Sequence, residues 1–159
     1  ARMPIRIWSE AFENGRPIPP RHAREGENVS PPLRFEGVPD EAREMVLIAY
    51  DPDTANRAPW VHWLVYGIPP DVRTVPEALA TRRDLHDPRG AKQGVNTSGL
   101  IGYDGPAPEP GDGTHRVHFK LYALDRELDV PGAADVTEVF GSMLDHVVDY
   151  GELVGTYER

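Results

Sequence analysis

The chain opens on an alternating pattern. Met3, Ile5 and Ile7 fall on one side of Met3–Trp8, which reads as a strand. Asn14–Leu33 breaks the pattern with Pro17–Pro20 and then Asn28-Val29-Ser30-Pro31-Pro32. Paired prolines lack amide donors, so this stretch predicts coil or a sheet edge. Met45–Tyr50 (MVLIAY) and Trp60–Ile68 (WVHWLVYGI) are continuous apolar runs, the second stopped by Pro69-Pro70. Each is short enough to be a strand buried on both faces. His115–Leu124 (HRVHFKLYAL) alternates again. His115, Val117, Phe119, Leu121 and Ala123 share one face, and Arg116, His118 and Lys120 take the other.

Asp71–Gly99 is polar and weakly patterned. It predicts a long loop with a short helix at Glu77–Arg83, and a loop of that length often carries function. The clear helix comes late. Val136, Val139, Phe140, Met143, Leu144 and Val147 fall at helical spacing on one face. Asp135 and Glu138 resemble a capping box at its start, and Gly151 is the expected stop. Leu153–Tyr157 is then a final strand. Ala58-Pro59, where the chain must turn into the Trp60 strand, is expected to be a cis bond.

Composition narrows the class. The 159 residues are 39% hydrophobic and 27% charged, which fits one globular domain spanning 1–159. With 17 Pro and 15 Gly, turn chemistry is abundant, and short strands are expected over a helical bundle. The net charge of -9 argues against a nucleic-acid partner and against docking on anionic lipid by charge. No apolar run approaches the roughly 20 residues of a membrane span. No segment reads as a signal peptide, so a cytoplasmic location is expected. The absence of cysteine removes disulfides and thiolate chemistry.

Three places carry candidate chemistry. Asp51-Pro52-Asp53 ends a buried strand. It is either an Asx-type turn that absorbs both carboxylates or an acidic pair at a corner. His62 lies inside an apolar strand and must have a hydrogen-bond partner. It is either a satisfied core histidine or the partner of Asp51, eleven residues earlier. Gly102–Gly111 is a stiff turn leading to His115, and its glycines would let a ligand approach backbone amides able to cradle an anion. His115 and His118 would point to opposite strand faces, which disfavours a metal site. Neither a P-loop nor a nucleophile elbow occurs.

Taken in order, Asp51-Pro52-Asp53, Trp60-Val61-His62-Trp63, Gly105-Pro106 and Gly111 followed by His115-Arg116 resemble the phosphatidylethanolamine-binding protein family, which includes the Raf kinase inhibitor proteins. Asn28–Leu33, Gln93-Gly94-Val95-Asn96, His146 and Leu153–Tyr157 resemble its bacterial and archaeal branch. The resemblance implies a mainly β fold: a β-sandwich with a large antiparallel central sheet, a smaller sheet and peripheral helices. It also implies a small pocket for phosphate-like anions or phosphoryl head groups. By motif, Asp51 and Asp53 supply its acids and His62 and His115 its histidines. Trp60 forms an aromatic wall, and Gly105, Pro106 and Ala107 form the lining loop.

Two positions depart from the family pattern. Val117 stands where a tyrosine is usual, and Glu109 where a proline is usual. Both put head-group binding in question. The expected function is a non-catalytic binding or regulatory protein, a kinase-inhibitor-like modulator taking a phosphorylated small molecule or a protein partner, without a cofactor. A homodimer is expected from the family. One alternative is a small enzyme using the Asp/His pocket for acid–base chemistry. The other is an interaction protein that binds through the 71–99 loop over a vestigial pocket.

Overall fold

Continuous apolar runs need cover on both faces, and the fold provides it by placing them at the middle of a layered structure. A computed structural model describes residues 4–53 and 59–159. Its strands are β1 (Arg6–Trp8), β2 (Leu33–Glu36), β3 (Glu44–Asp51), β4 (Trp60–Ile68), β5 (Thr74–Val75), β6 (Lys92–Gln93), β7 (His115–Leu124) and β8 (Val147–Tyr157). The helix α1 (Val136–Met143) precedes β8, and Pro20–His22 form a single 3-10 turn. The MVLIAY and WVHWLVYGI runs are β3 and β4, which pair near the centre of a five-stranded sheet ordered β6-β4-β3-β7-β8. A smaller sheet has the order β1-β2-β5. All strand pairs within the two sheets are antiparallel.

The main core lies between the sheets. Ile7, Leu33 and Phe35 pack from the small sheet against Met45, Leu47, Ala49, Trp63, Val65, Val117, Phe119 and Leu121 from the large one. On the far face of the large sheet, Val46, Ile48, Val61, Leu64 and Tyr66 are covered by Val139 and Met143 of α1. The strict alternation of β7 is as the sequence predicts, with Val117, Phe119, Leu121 and Ala123 all buried.

Some expectations need correction. The first strand begins at Arg6, and Met3 lies outside the described residues, as does the Ala58–Pro59 bond. Glu77–Arg83 is not helical. Ala78 adopts φ +60°, and Ser30 captures the Ala78 and Leu79 amides through its carbonyl and hydroxyl (2.9 and 3.0 Å). The Gln93 amide then holds the carbonyls of Ala80 and Arg82. Two short strands, β5 and β6, lie within the predicted loop.

The late helix starts as predicted, with the Asp135 carboxylate accepting the Glu138 amide at 2.9 Å. It ends at Met143, however, and Val147 opens β8. Gly151 sits inside β8 opposite Leu121. Another helical turn would forfeit the β7–β8 ladder, which runs from Leu124↔Val147 to His115↔Tyr157. The β-branched pair Val147-Val148 favours the strand, and Phe140 and Leu144 are left exposed. Among the described residues no helix is long and apolar enough to cross a membrane.

Candidate functional site: a cavity at the end of the large sheet

Asp51 is the last residue of β3, Trp60 the first of β4 and His115 the first of β7. Side-chain parity sends Asp51 and His115 to the same face as Ala49 and Val117. His62 reaches that face by an irregularity. Ala49 pairs with Trp63 and Tyr50 with Val61, so His62 is an extra residue, a β-bulge. Val61 and Leu64 both join the helix-side core, while Trp63 joins the inter-sheet core. Without the bulge, strict alternation would place His62 and Trp63 on opposite faces. With it, both serve the inter-sheet side, Trp63 as filler and His62 as cavity wall.

A cavity of about 440 Å³ opens here. It is lined by Asp51, Trp60, His62, Gly105, Pro106, Ala107 and His115, together with Arg24, Pro108, Glu109 and Asp112. Seven of the eight residues expected from sequence therefore line one cavity. Asp53 is the exception. It turns outward, and its carboxylate takes the Arg116 guanidinium at 2.9 and 2.7 Å and the Arg116 amide at 3.1 Å. The Arg116 hydrogen bonds hold the Asp53 carboxyl below the usual carboxylate range.

Asp51 is both a turn acid and a pocket acid. Its Oδ1 accepts the Asp53 amide at 2.7 Å, an Asx turn, which leaves Oδ2 2.6 Å from His115 Nδ1. The expected Asp51–His62 pair is thus replaced by Asp51–His115. The second imidazole nitrogen of His115 lies 2.8 Å from Asp112 Oδ2. Burial pulls the His115 pKa down, but the two carboxylates outweigh it and the net shift is upward. The carboxylates on both nitrogens favour the charged imidazolium of His115.

His62 is arranged differently. Its Nδ1 lies 2.8 Å from the Asp104 carbonyl oxygen. A carbonyl can only accept, so Nδ1 carries the proton. Nε2 is buried and has no partner among the described residues. Burial lowers the His62 pKa, and the Asp104 carbonyl and the Asp51 carboxylate only partly oppose it. His62 is therefore a neutral imidazole presenting a lone pair.

The loop between them is fixed from below. The Asp104 carboxylate accepts from Arg24, Asn28 and Ser98. Burial raises its pKa, but these donors prevail and lower it overall. The Asn28 side chain also accepts the Gly105 amide at 2.7 Å. Gly105 is required by space, because a Cβ there would lie 2.3 Å from the His22 carbonyl oxygen. The expected amide cradle is mostly consumed. The Gly105 amide is spent on Asn28, and the prolines at 106, 108 and 110 have none.

Val117 is fully buried in the inter-sheet core and brings no phenol to the cavity, and Glu109 joins its rim. Arg24, Asp104 and Asp112 were not singled out by sequence reasoning. Arg24 is remote in the chain. Asp112 carries the only local signal, a carboxylate between two glycines just ahead of His115.

The sequence matches the phosphatidylethanolamine-binding protein family over residues 8–158. A UPF0098 protein of Methanothermobacter thermautotrophicus is 42% identical over 155 residues, covering 98% of this chain and 99% of its own. The crystal structure of a phosphatidylethanolamine-binding protein homologue of Chlamydia trachomatis superposes with a TM-score of 0.87 at 38% identity, over 98% of each chain. YbcL of Escherichia coli, described as a member of the mammalian family, gives 0.90 at 30% identity over 99% of each chain. With its two-sheet sandwich, its bulged histidine strand and its second histidine at the start of β7, the chain belongs to the phosphatidylethanolamine-binding protein family.

Proposed function

We propose that this is a non-catalytic binding protein whose cavity takes a small phosphoryl-bearing ligand, inorganic phosphate or a phosphate monoester such as phosphorylethanolamine, in its monoanionic form. The observation that carries this reading is the contrast between the two histidines. A protonated phosphoryl group has both a P–OH donor and anionic oxygens. The donor suits the unpartnered Nε2 of His62. The oxygens suit the His115 imidazolium and the Arg24 guanidinium on the same lining. A dianion has no proton for His62, and a carboxylate ion has none either.

The sign of the pH dependence follows. Raising the pH removes the ligand's acidic proton, with a second pKa of about 6 for a phosphate monoester, and then the His115 charge. Binding is expected at pH 6 and is expected to fade by pH 8. Calorimetric titration with phosphate and with phosphorylethanolamine at both pH values tests this, with His62→Ala as the comparison. Loss of binding in the variant supports the reading, and no heat from wild type at either pH overturns it.

One observation favours an enzyme instead. Two histidines with pKa values pushed apart over one cavity are a usable acid–base pair. Turnover of a phosphoester that is lost in both His62→Ala and His115→Ala would move that reading ahead. A kinase-modulating role, a homodimer and a cytoplasmic location are proposals supported by the family resemblance and the sequence. Sedimentation at the mass of one chain would end the dimer.

A further inference from the structure

His115 Nε2, the nitrogen a ligand anion would need, is already taken. Its partner Asp112 sits between Gly111 and Gly113, whose φ angles are +83° and +93°. Neither glycine has an atom within 4 Å of where a Cβ would stand, so crowding is not what calls for glycine there. The backbone path is, since positive φ is costly for other residues. The Asp112 amide donates to the Glu109 carbonyl at 3.0 Å and the Gly111 amide to the Arg159 carbonyl at 3.3 Å. This tight, glycine-flanked turn carries one carboxylate back to 2.8 Å from the imidazole.

The two carboxylates on His115 are not equivalent. Asp51 is buried in strand β3 and anchored by the Asp53 amide. Asp112 is 52% exposed, and His115 is its only hydrogen-bond partner through the side chain among the described residues. Removing Asp51 from the imidazole would strand a buried anion, which is strongly unfavourable. Moving Asp112 outward returns a carboxylate to water at the small cost of an exposed pair. Of the other charges on the lining, Glu109 repels an arriving anion and Arg24 attracts it while engaged with Asp104.

We propose that Asp112 is a built-in competitor: it occupies the anion position at His115 in the ligand-free protein, and a phosphoryl ligand binds by replacing the Asp112 carboxylate at Nε2. The inference rests on the phosphoryl-pocket reading above. A tethered group acts at an effective concentration of about millimolar or more. Free monocarboxylates at lower concentration therefore lose to it, having the same donor-free head and no advantage at His62. A phosphoryl monoanion wins because it engages His62 as well. Asp112 thereby sets selectivity for phosphoryl over carboxylate ligands.

The test uses the full chain with inorganic phosphate and with acetate as probes at pH 6, comparing wild type with Asp112→Ala and Asp112→Asn. Glu36→Gln, distant and paired with Arg6, removes the same formal charge as a control. Phosphate affinity is expected to rise about tenfold in both Asp112 variants and to stay unchanged in Glu36→Gln, and acetate binding is expected to appear only in the Asp112 variants. Imidazole NMR is expected to show the His115 pKa falling in Asp112→Asn, which confirms that the contact exists in solution. Unchanged or weaker phosphate binding in the Asp112 variants, with wild type still binding, overturns the competitor and leaves the pocket standing. Absence of phosphate binding in wild type and in all variants overturns the pocket reading itself. Binding in the variants alone supports both, with Asp112 fully dominant.

Discussion

His62 and His115 face one cavity from opposite sides, yet their surroundings differ at every step. His62 is enclosed by strands and is tied by one nitrogen to the Asp104 backbone, so it stays neutral. Around it, Arg24, Asn28 and Ser98 lock the Asp104 carboxylate, and the Asp104 amide donates to the His62 carbonyl at 3.0 Å. His115 stands at a strand end with a carboxylate on each nitrogen, one of them on an exposed turn, and its charged form is favoured. The lesson is that burial without an ionic partner makes an acceptor, and a rim position with two makes a cation. One residue type thus supplies both an acceptor and a favoured cation to the same cavity.

The most disruptive way to break this contrast is to loosen the His62 side. Gly105→Ala forces a Cβ against the His22 carbonyl, and Asp104→Ala leaves its donors unpaired. Each is expected to cost about 3 kcal/mol of stability, read as a shifted midpoint in urea unfolding. A midpoint within error of wild type would mean that the loop is not held as described.

Next in size is the pH dependence of stability, where the histidines act in opposite directions. The folded pKa of His62 lies below the ordinary 6.5. Its stabilisation is complete above that value and is lost as the pH falls towards the folded pKa. The folded pKa of His115 is raised, so its contribution is complete below 6.5 and is lost as the pH rises through the folded value. Unfolding across pH 5 to 8 is expected to show an acid limb that flattens in His62→Phe and an alkaline limb that flattens in His115→Phe. If one substitution flattens both limbs, the two histidines are not independent.

Smaller still is the effect at Asp53. Its bidentate pair with Arg116 is partly exposed, so Asp53→Asn is expected to cost about 0.5–1 kcal/mol. That contribution vanishes in wild type as the pH falls below 3.8, through the lowered pKa. Phosphate affinity should change less than twofold, because Asp53 does not line the cavity. A larger loss would restore it to the site.

Much of the frame was legible because β3, β4 and β7 are signalled by local pattern alone. The four-residue strand β2 was not, since Leu-Arg-Phe-Glu follows a proline pair and gives only one alternation. The C-terminal end of α1 was lost for a different reason. Helical spacing continues to Val147, but pairing with β7 captures that residue first. At the site, the residue types were readable and the partnership was not. His62 lies eleven positions after Asp51, and proximity along the chain suggests that pair. In fact β7 also flanks β3, and its His115 reaches Asp51 across the sheet. Arg24, a side chain from a distant coil, has no pattern to betray it.

The bulge in β4 has a consequence for how this protein can change. Because the extra residue lets His62 and Trp63 share a side, one neighbour fills the interior while the other lines the cavity. The chemistry at position 62 can then be replaced by a point substitution while the indole beside it keeps the sandwich closed. Cavity lining and core packing therefore fall to adjacent residues that a single substitution can separate.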